Sequence, residues 1–104
     1  MHAGYAVLHN DCRGRYESEG VWRPYVDEAD DGFDTQEWIG KQPWCDGTIG
    51  MFGVSYPGFQ QLVPAPQRSR FVKGLIPIAN KQDNFGHHRY HGLLQLENAM
   101  NFIW

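Results

Sequence analysis

Ile49-Gly50-Met51-Phe52, running into Gly53-Val54-Ser55-Tyr56-Pro57-Gly58, is the stretch that decides how this chain is read. An apolar run leads to a glycine-flanked serine, and a segment able to form a short helix follows. A nucleophile elbow needs that order, because its serine sits on a sharp strand-to-helix turn with the hydroxyl exposed at the end of a sheet. Glycines flank such a serine because a side chain there would clash with the turn. The start of the next helix can stabilise a developing oxyanion. The spacing departs from G-x-S-x-G, since Pro57 holds the place of the second glycine and Gly58 comes one later.

On the N-terminal side, Tyr5-Ala6-Val7-Leu8 is a short apolar run ended by His9-Asn10-Asp11. It predicts a buried strand of a parallel sheet. Asp11 to Gly20 is polar and glycine-bearing, so a loop is expected at that strand's carboxyl end, where open α/β sheets bind ligands. Asp27 to Gln42 predicts a helix. Asp27, Glu28, Asp30 and Asp31 crowd its start, where the helix dipole favours acids. Phe33, Trp38 and Ile39 would form its apolar face. Pro43 to Gly47 is a turn, Thr48 to Phe52 a strand, and Tyr56 to Val63 a short helix with Pro57 in its first turn. Pro64 and Pro66 should end that helix near Val63, since an interior proline costs about 3 kcal/mol. Val72 to Ala79 is a further strand. Leu93, Leu96, Met100 and Ile103 give the last segment, Leu93 to Trp104, helical spacing. Strands alternating with helices predict an α/β class with a parallel sheet and right-handed crossovers. Three strands are few for such a sheet, because its faces and edges need cover.

The composition excludes several classes. The chain has 104 residues, of which 41% are hydrophobic and 14% aromatic, so it is globular rather than disordered. Its net charge is −3 with no basic stripe, which argues against nucleic acid as a partner. No apolar run approaches the roughly 20 residues of a membrane span. Met1 to Asn10 lacks the pattern of a signal peptide, which favours a cytoplasmic location for a chain whose N-terminus is expected to be incomplete. Cys12 and Cys45 lie far apart in sequence and form no C-x-x-C. Free thiols are expected, with a disulfide as the alternative.

Longer blocks carry a family resemblance. They are Gly4-Tyr5-Ala6-Val7, Asp11-Cys12-Arg13-Gly14 and Ser18-Glu19-Gly20, then Glu28 to Thr35 and Glu37-Trp38-Ile39. Gln42 to Gly47, Ile49 to Gly53 and Ser55-Tyr56 complete the series. In this order and spacing the chain resembles the cocaine esterase / X-prolyl dipeptidyl-peptidase (S15-like) family of α/β-hydrolases. That family also holds α-amino-acid ester hydrolases and glutaryl acylases. The resemblance implies a Ser-His-Asp hydrolase that forms an acyl-enzyme from an ester or amide. It places Ser55 on the nucleophile and the backbone N–H of Tyr56 on one oxyanion-hole donor. It implies a second donor, a tyrosine hydroxyl upstream of this chain, and a triad acid and histidine downstream of it. Residues 1–79 would then be a partial α/β-hydrolase core, and residues 80–104 the start of a helical cap.

Other residues invite competing readings. Asp83, His87, His88 and His91 follow Ser55 in the hydrolase order, yet only one strand separates them from it, so a polar loop is the expectation. His87 and His91 stand at i, i+4 without a third ligand placed for them, so no metal is expected. Asp27 to Asp34 lacks the ligand pattern of a calcium loop, with Ala29 and Trp38 at ligand positions. Asp11 and Arg13 are expected to form a buried ion pair that fixes their loop. Trp22, Trp38, Trp44 and Trp104 are expected to pack in core and cap, and both cysteines to be structural. The function expected is a serine hydrolase acting on small ester, amide or short peptide substrates through Ser55. It needs no cofactor, and neither nucleic acid nor membrane is a partner. The alternative is a truncated, non-catalytic relic lacking the triad acid and histidine. Exposed sheet edges leave self-association open.

Overall fold

The computed structural model describes residues 4–79, together with Arg89–Tyr90 and Leu93–Leu94. Helix α1 spans Glu28–Gly40. Strand β1 spans Ile49–Val54, helix α2 Tyr56–Leu62 and strand β2 Val72–Ile78, with a 3-10 turn at Ala65–Gln67 between the last two. Strands β1 and β2 run parallel, with Met51 opposite Leu75 and Gly53 opposite Pro77. The crossover through α2 makes this a strand-helix-strand unit. The chain is therefore a partial α/β fold, as its alternating pattern predicts.

Local chemistry explains the boundaries. Glu28, Asp30 and Asp31 occupy the first turn of α1, where the exposed N–H groups carry partial positive charge. Lys41 caps the other end: its N–H donates to the Trp38 carbonyl at 3.2 Å, and the next N–H, of Gln42, donates to the Ile39 carbonyl at 3.0 Å. Asp46 then accepts the Thr48 N–H at 2.8 Å, a side-chain turn that delivers the chain into β1. Pro64 is wholly buried and stops α2, since proline has no N–H to continue the helical ladder. Strand β1 runs two residues further than its apolar run suggests, so it ends directly against Ser55.

The two faces of the sheet differ. Ile49 and Gly53 are buried on the side that carries α2. Phe52, Val54, Ile76 and Ile78 lie on the opposite face and are 46–74% exposed. The hydrophobic core of the described residues is small: Ile49, Phe59 and Phe71. Gly40 sits face-on to Phe71. A Cβ there would stand 2.2 Å from the ring. Gly40→Ala gains helix propensity of about 1 kcal/mol, but overpacking costs about 1–3 kcal/mol. A lower denaturant midpoint is expected.

Four expectations need correction. Tyr5 to Leu8 forms no strand, and Tyr5, Val7 and Leu8 are 75%, 63% and 44% exposed. An apolar run becomes a strand only where a neighbour takes its backbone groups. Here a groove of about 1090 Å³, lined by residues 5–13, α1 and both strands, lies between the run and the sheet. Secondly, α1 buries Glu28 and Gln36 rather than an apolar face, while Trp38 is 54% exposed. Thirdly, Trp38 and Trp44 meet edge to face at 6.4 Å on the surface instead of joining the core. Trp22 is half-buried and carries the Arg15 guanidinium 4.4 Å above its ring, a cation–π contact. Lastly, Leu93–Leu94 pairs antiparallel with Arg89–Tyr90, so the helix expected from Leu93 does not begin there. Leucine accepts either state, and Tyr90 suits a ladder. The remainder of the expected cap, with Asp83, His87, His88, His91 and Trp104, lies outside the described residues.

The Asp11–Arg13 pair also resolves differently. Arg13 reaches across to α1 and gives Asp31 two hydrogen bonds, Nε to Oδ2 at 2.8 Å and Nη2 to Oδ1. The pair is solvent-accessible rather than buried. Asp11 serves its own loop, accepting from the Ser18 hydroxyl through its carbonyl at 3.0 Å. The fork of the Arg13 guanidinium matches both oxygens of the Asp31 carboxylate. This hydrogen bonding holds the Asp31 carboxyl below its ordinary value of 3.8. A depressed carboxyl stabilises the fold above that value and loses the effect as pH falls through the lower folded one. Asp31→Asn should therefore lower the denaturant midpoint at pH 7, with the gap to the native chain narrowing as pH falls below the ordinary carboxyl value of 3.8.

Candidate active site

Ser55 lies at the junction of β1 and α2, with φ 62° and ψ −118°. For a residue with a Cβ this is a costly backbone, by about 1–3 kcal/mol. Three backbone hydrogen bonds hold it. The Ser55 N–H donates to the Ile78 carbonyl at 2.9 Å, tying the turn to the end of β2. The Ser55 carbonyl accepts from the N–H groups of Gly58 at 2.9 Å and Phe59 at 3.0 Å, which starts α2. The chain thus reverses within one residue, and the Ser55 side chain is exposed. Its hydroxyl makes no cap hydrogen bond to α2.

Gly53 makes the reversal sterically feasible. It is buried, and a Cβ on it would stand 2.5 Å from Pro57 Cβ and 2.9 Å from the Pro57 carbonyl carbon. The helix therefore returns directly over the strand. Pro57 tolerates this position because the second residue of a helix has no intrahelical use for its N–H. Gln61, one turn later and 1% exposed, fastens α2 to β2. Its amide oxygen accepts the Ile76 N–H at 3.0 Å, and its Nε2 donates to the Pro57 carbonyl at 3.1 Å.

Tyr56 turns its side chain inward. Its hydroxyl donates to Glu28 Oε1 and accepts the Tyr25 N–H at 3.2 Å. Its ring meets Tyr25 at 5.0 Å and Phe59 at 5.9 Å. Burial, and after it the hydrogen bond to Glu28, push the Tyr56 hydroxyl well above its ordinary 10.0. It stays a donor throughout the pH range in which proteins fold. Burial likewise raises the Tyr25 hydroxyl, with the Glu28 charge adding to it.

The sequence placed Ser55 and Tyr56 correctly at a strand-to-helix turn. It missed Glu28 and Gln61, which the fold brings against that turn. Glu28 reads in sequence as one more acid at a helix start and Gln61 as an ordinary helix residue, so no local signal marked either. Cys12 and Cys45 are free thiols, and Cys12 Sγ accepts from Gln60 Nε2 at 2.9 Å. The acidic run around Asp27 is a helix start, and no cluster able to hold a metal occurs among the described residues. No described helix is long and apolar enough to cross a membrane.

Comparison with known proteins adds the family. Residues 1–103 match the model of the X-Pro dipeptidyl-peptidase family, S15. Cocaine esterase of Rhodococcus sp. (strain MB1 Bresler) is 47% identical over 80 residues, which are 77% of this chain and 14% of that protein. Proteins named as serine esterases in Mycobacterium bovis and Mycobacterium tuberculosis are 43% identical over 58 residues, 54% of this chain and 9% of theirs. The chain therefore spans only a small part of the relatives it matches. With a strand-helix-strand unit of the expected order and a match along nearly its whole length, the chain belongs to the X-Pro dipeptidyl-peptidase (S15) family of serine hydrolases, which have the α/β-hydrolase fold.

Proposed function

We propose that this chain carries the nucleophile of a serine hydrolase that cleaves esters or amides of small acyl, aminoacyl or peptidyl groups. The observation that carries the reading is the backbone of Ser55: a non-glycine residue at φ 62°, exposed, on a turn between a parallel strand and a helix. Strain of this kind persists only where the surrounding fold over-determines it, and it gathers at reactive sites. In this reading the Ser55 Oγ attacks the substrate carbonyl carbon while a histidine takes its proton. The tetrahedral oxygen is held by the Tyr56 N–H and a second donor. The bond to the leaving alcohol or amine then breaks, and the leaving group takes the proton back. Water releases the acyl group by the same path in reverse. The histidine, its orienting acid and the second donor would come from parts of the protein beyond these 104 residues. The chain spans 14% of cocaine esterase, which leaves ample chain for them. No metal or cofactor is needed for these steps.

The relatives include a cocaine esterase and the family is one of dipeptidyl-peptidases, and a serine nucleophile cleaves both esters and amides through an acyl-enzyme. A fluorophosphonate probe tests the reading. Incubated with the full-length protein, it should add its phosphonyl group to the peptide containing Ser55, as read by mass spectrometry. Labelling elsewhere, or none, would remove Ser55 as the nucleophile.

A further inference from the structure

We propose that Glu28 is a positioning residue for the reacting centre, acting through the Tyr56 hydroxyl on the Ser55–Tyr56 turn. The proposal rests on the reading of Ser55 as nucleophile. Glu28 is 8% exposed, in the first turn of α1 and 27 residues before Ser55 in sequence. An acid at a helix start is ordinarily solvated and helps the dipole from the surface. This one is turned inward instead. Oε1 accepts the Tyr56 hydroxyl, and Oε2 is buried with no hydrogen-bond partner among the described residues. Burying a carboxyl group with half its capacity unmet is costly. Apolar packing would stabilise the α1–α2 contact better. A carboxyl group here is accounted for by what it holds.

The restraints on Ser55 show what that is. Two come from the turn's own unit: the N–H bond to Ile78 belongs to the sheet, and the carbonyl bonds belong to α2. The second set holds the oxygen of the peptide whose N–H belongs to Tyr56, so that peptide moves only together with the start of α2. The contact of Tyr56 with Glu28 and the Tyr25 N–H comes from outside that unit. It fixes the side chain of the residue whose amide follows the nucleophile. Tyr25 is itself held at φ 66°, so the hydroxyl of the residue after Ser55 is bonded to a second strained backbone. Such a clamp seats the start of α2, and with it the Tyr56 N–H, against α1 and the Tyr25 backbone. Transition-state stabilisation depends steeply on the placement of that N–H, and substrate binding much less.

Two substitutions test this in the full-length protein with p-nitrophenyl acetate. Tyr56→Phe removes the hydroxyl and keeps the ring and the backbone N–H. Glu28→Gln keeps the volume. Each should lower kcat by about 10-fold with KM changed less than about 2-fold, and the double variant should lose no more than the worse single one, since the two act as a unit. A kcat within 2-fold of the native value in both, or losses that multiply in the double variant, would overturn the proposal. So would loss of the folded state in both, because the contact would then support the fold rather than aim the turn. Fluorophosphonate labelling of the native protein separates the two readings. Ser55 labelled with kcat unmoved by the substitutions sinks only the role of Glu28, whereas Ser55 unlabelled sinks the nucleophile as well.

Discussion

Ser55→Ala in the full-length protein is expected to lower kcat on p-nitrophenyl esters by about 10⁴–10⁶-fold, with KM little changed. The substitution removes one oxygen from an exposed side chain. Nothing in the described residues depends on that oxygen for folding, since the turn is held by the N–H and carbonyl of Ser55 and not by its hydroxyl. The thermal midpoint should therefore stay where it is or rise slightly. Activity and stability would part completely, and this separation distinguishes a nucleophile from a structural serine. Residual turnover should resemble that of an oxyanion hole acting on water alone. If the variant kept more than a tenth of the native kcat, the elbow would be ancestry without chemistry.

Gly53→Ala should have the second-largest effect, and of the opposite kind. The new methyl group would stand 2.5 Å from Pro57 Cβ and 3.0 Å from the Pro57 carbonyl oxygen. Both are parts of a rigid ring or a backbone and cannot rotate aside. Either β1 or α2 must retreat by more than half an ångström. Overpacking of this kind costs about 1–3 kcal/mol in stability. The retreat also separates the strand that carries Ser55 from the helix that begins at Tyr56. A displacement of about 1 Å at a reacting centre can cost 10²-fold in rate. The expected result is a fall of about 10²-fold in kcat together with a lower denaturant midpoint. An unchanged kcat with a lowered midpoint would show that the turn moves as one body with its helix.

The two predictions differ in how legible they were. The strand-turn-helix around Ser55 was visible in sequence because such a turn imposes several local demands at once: an apolar strand, glycines near the turn and a helix that can start immediately. Each demand acts between near neighbours, so each leaves a mark at fixed spacing. The boundaries of α1, β1, α2 and β2 were readable for the same reason, from acids at a helix start, prolines at a helix end and apolar runs between turns. Departures arose where the deciding partner is remote. Tyr5 to Leu8 has the composition of a buried strand, but strand formation needs a neighbouring ladder, and none of the described residues supplies one. Trp38 has the spacing of a core residue, yet α1 turns Glu28 to the Tyr56 hydroxyl and Gln36 to Met51 instead. Arg13 paired with a carboxylate on α1 rather than with its neighbour Asp11, because the loop folds back over the helix start.

By itself, then, the sequence determined the α/β class, the strand-turn-helix around Ser55, the family and the glycine at position 53. These follow from local sterics and short-range hydrogen bonding, which depend on residues a few positions apart. Only the tertiary structure decided that Glu28 and the Tyr25 backbone would meet the Tyr56 hydroxyl, that Gln61 would fasten α2 to β2, and that Gly40 would face Phe71. These contacts join residues 15 to 31 positions apart. No periodicity encodes them, because they depend on how the helices lie against the sheet.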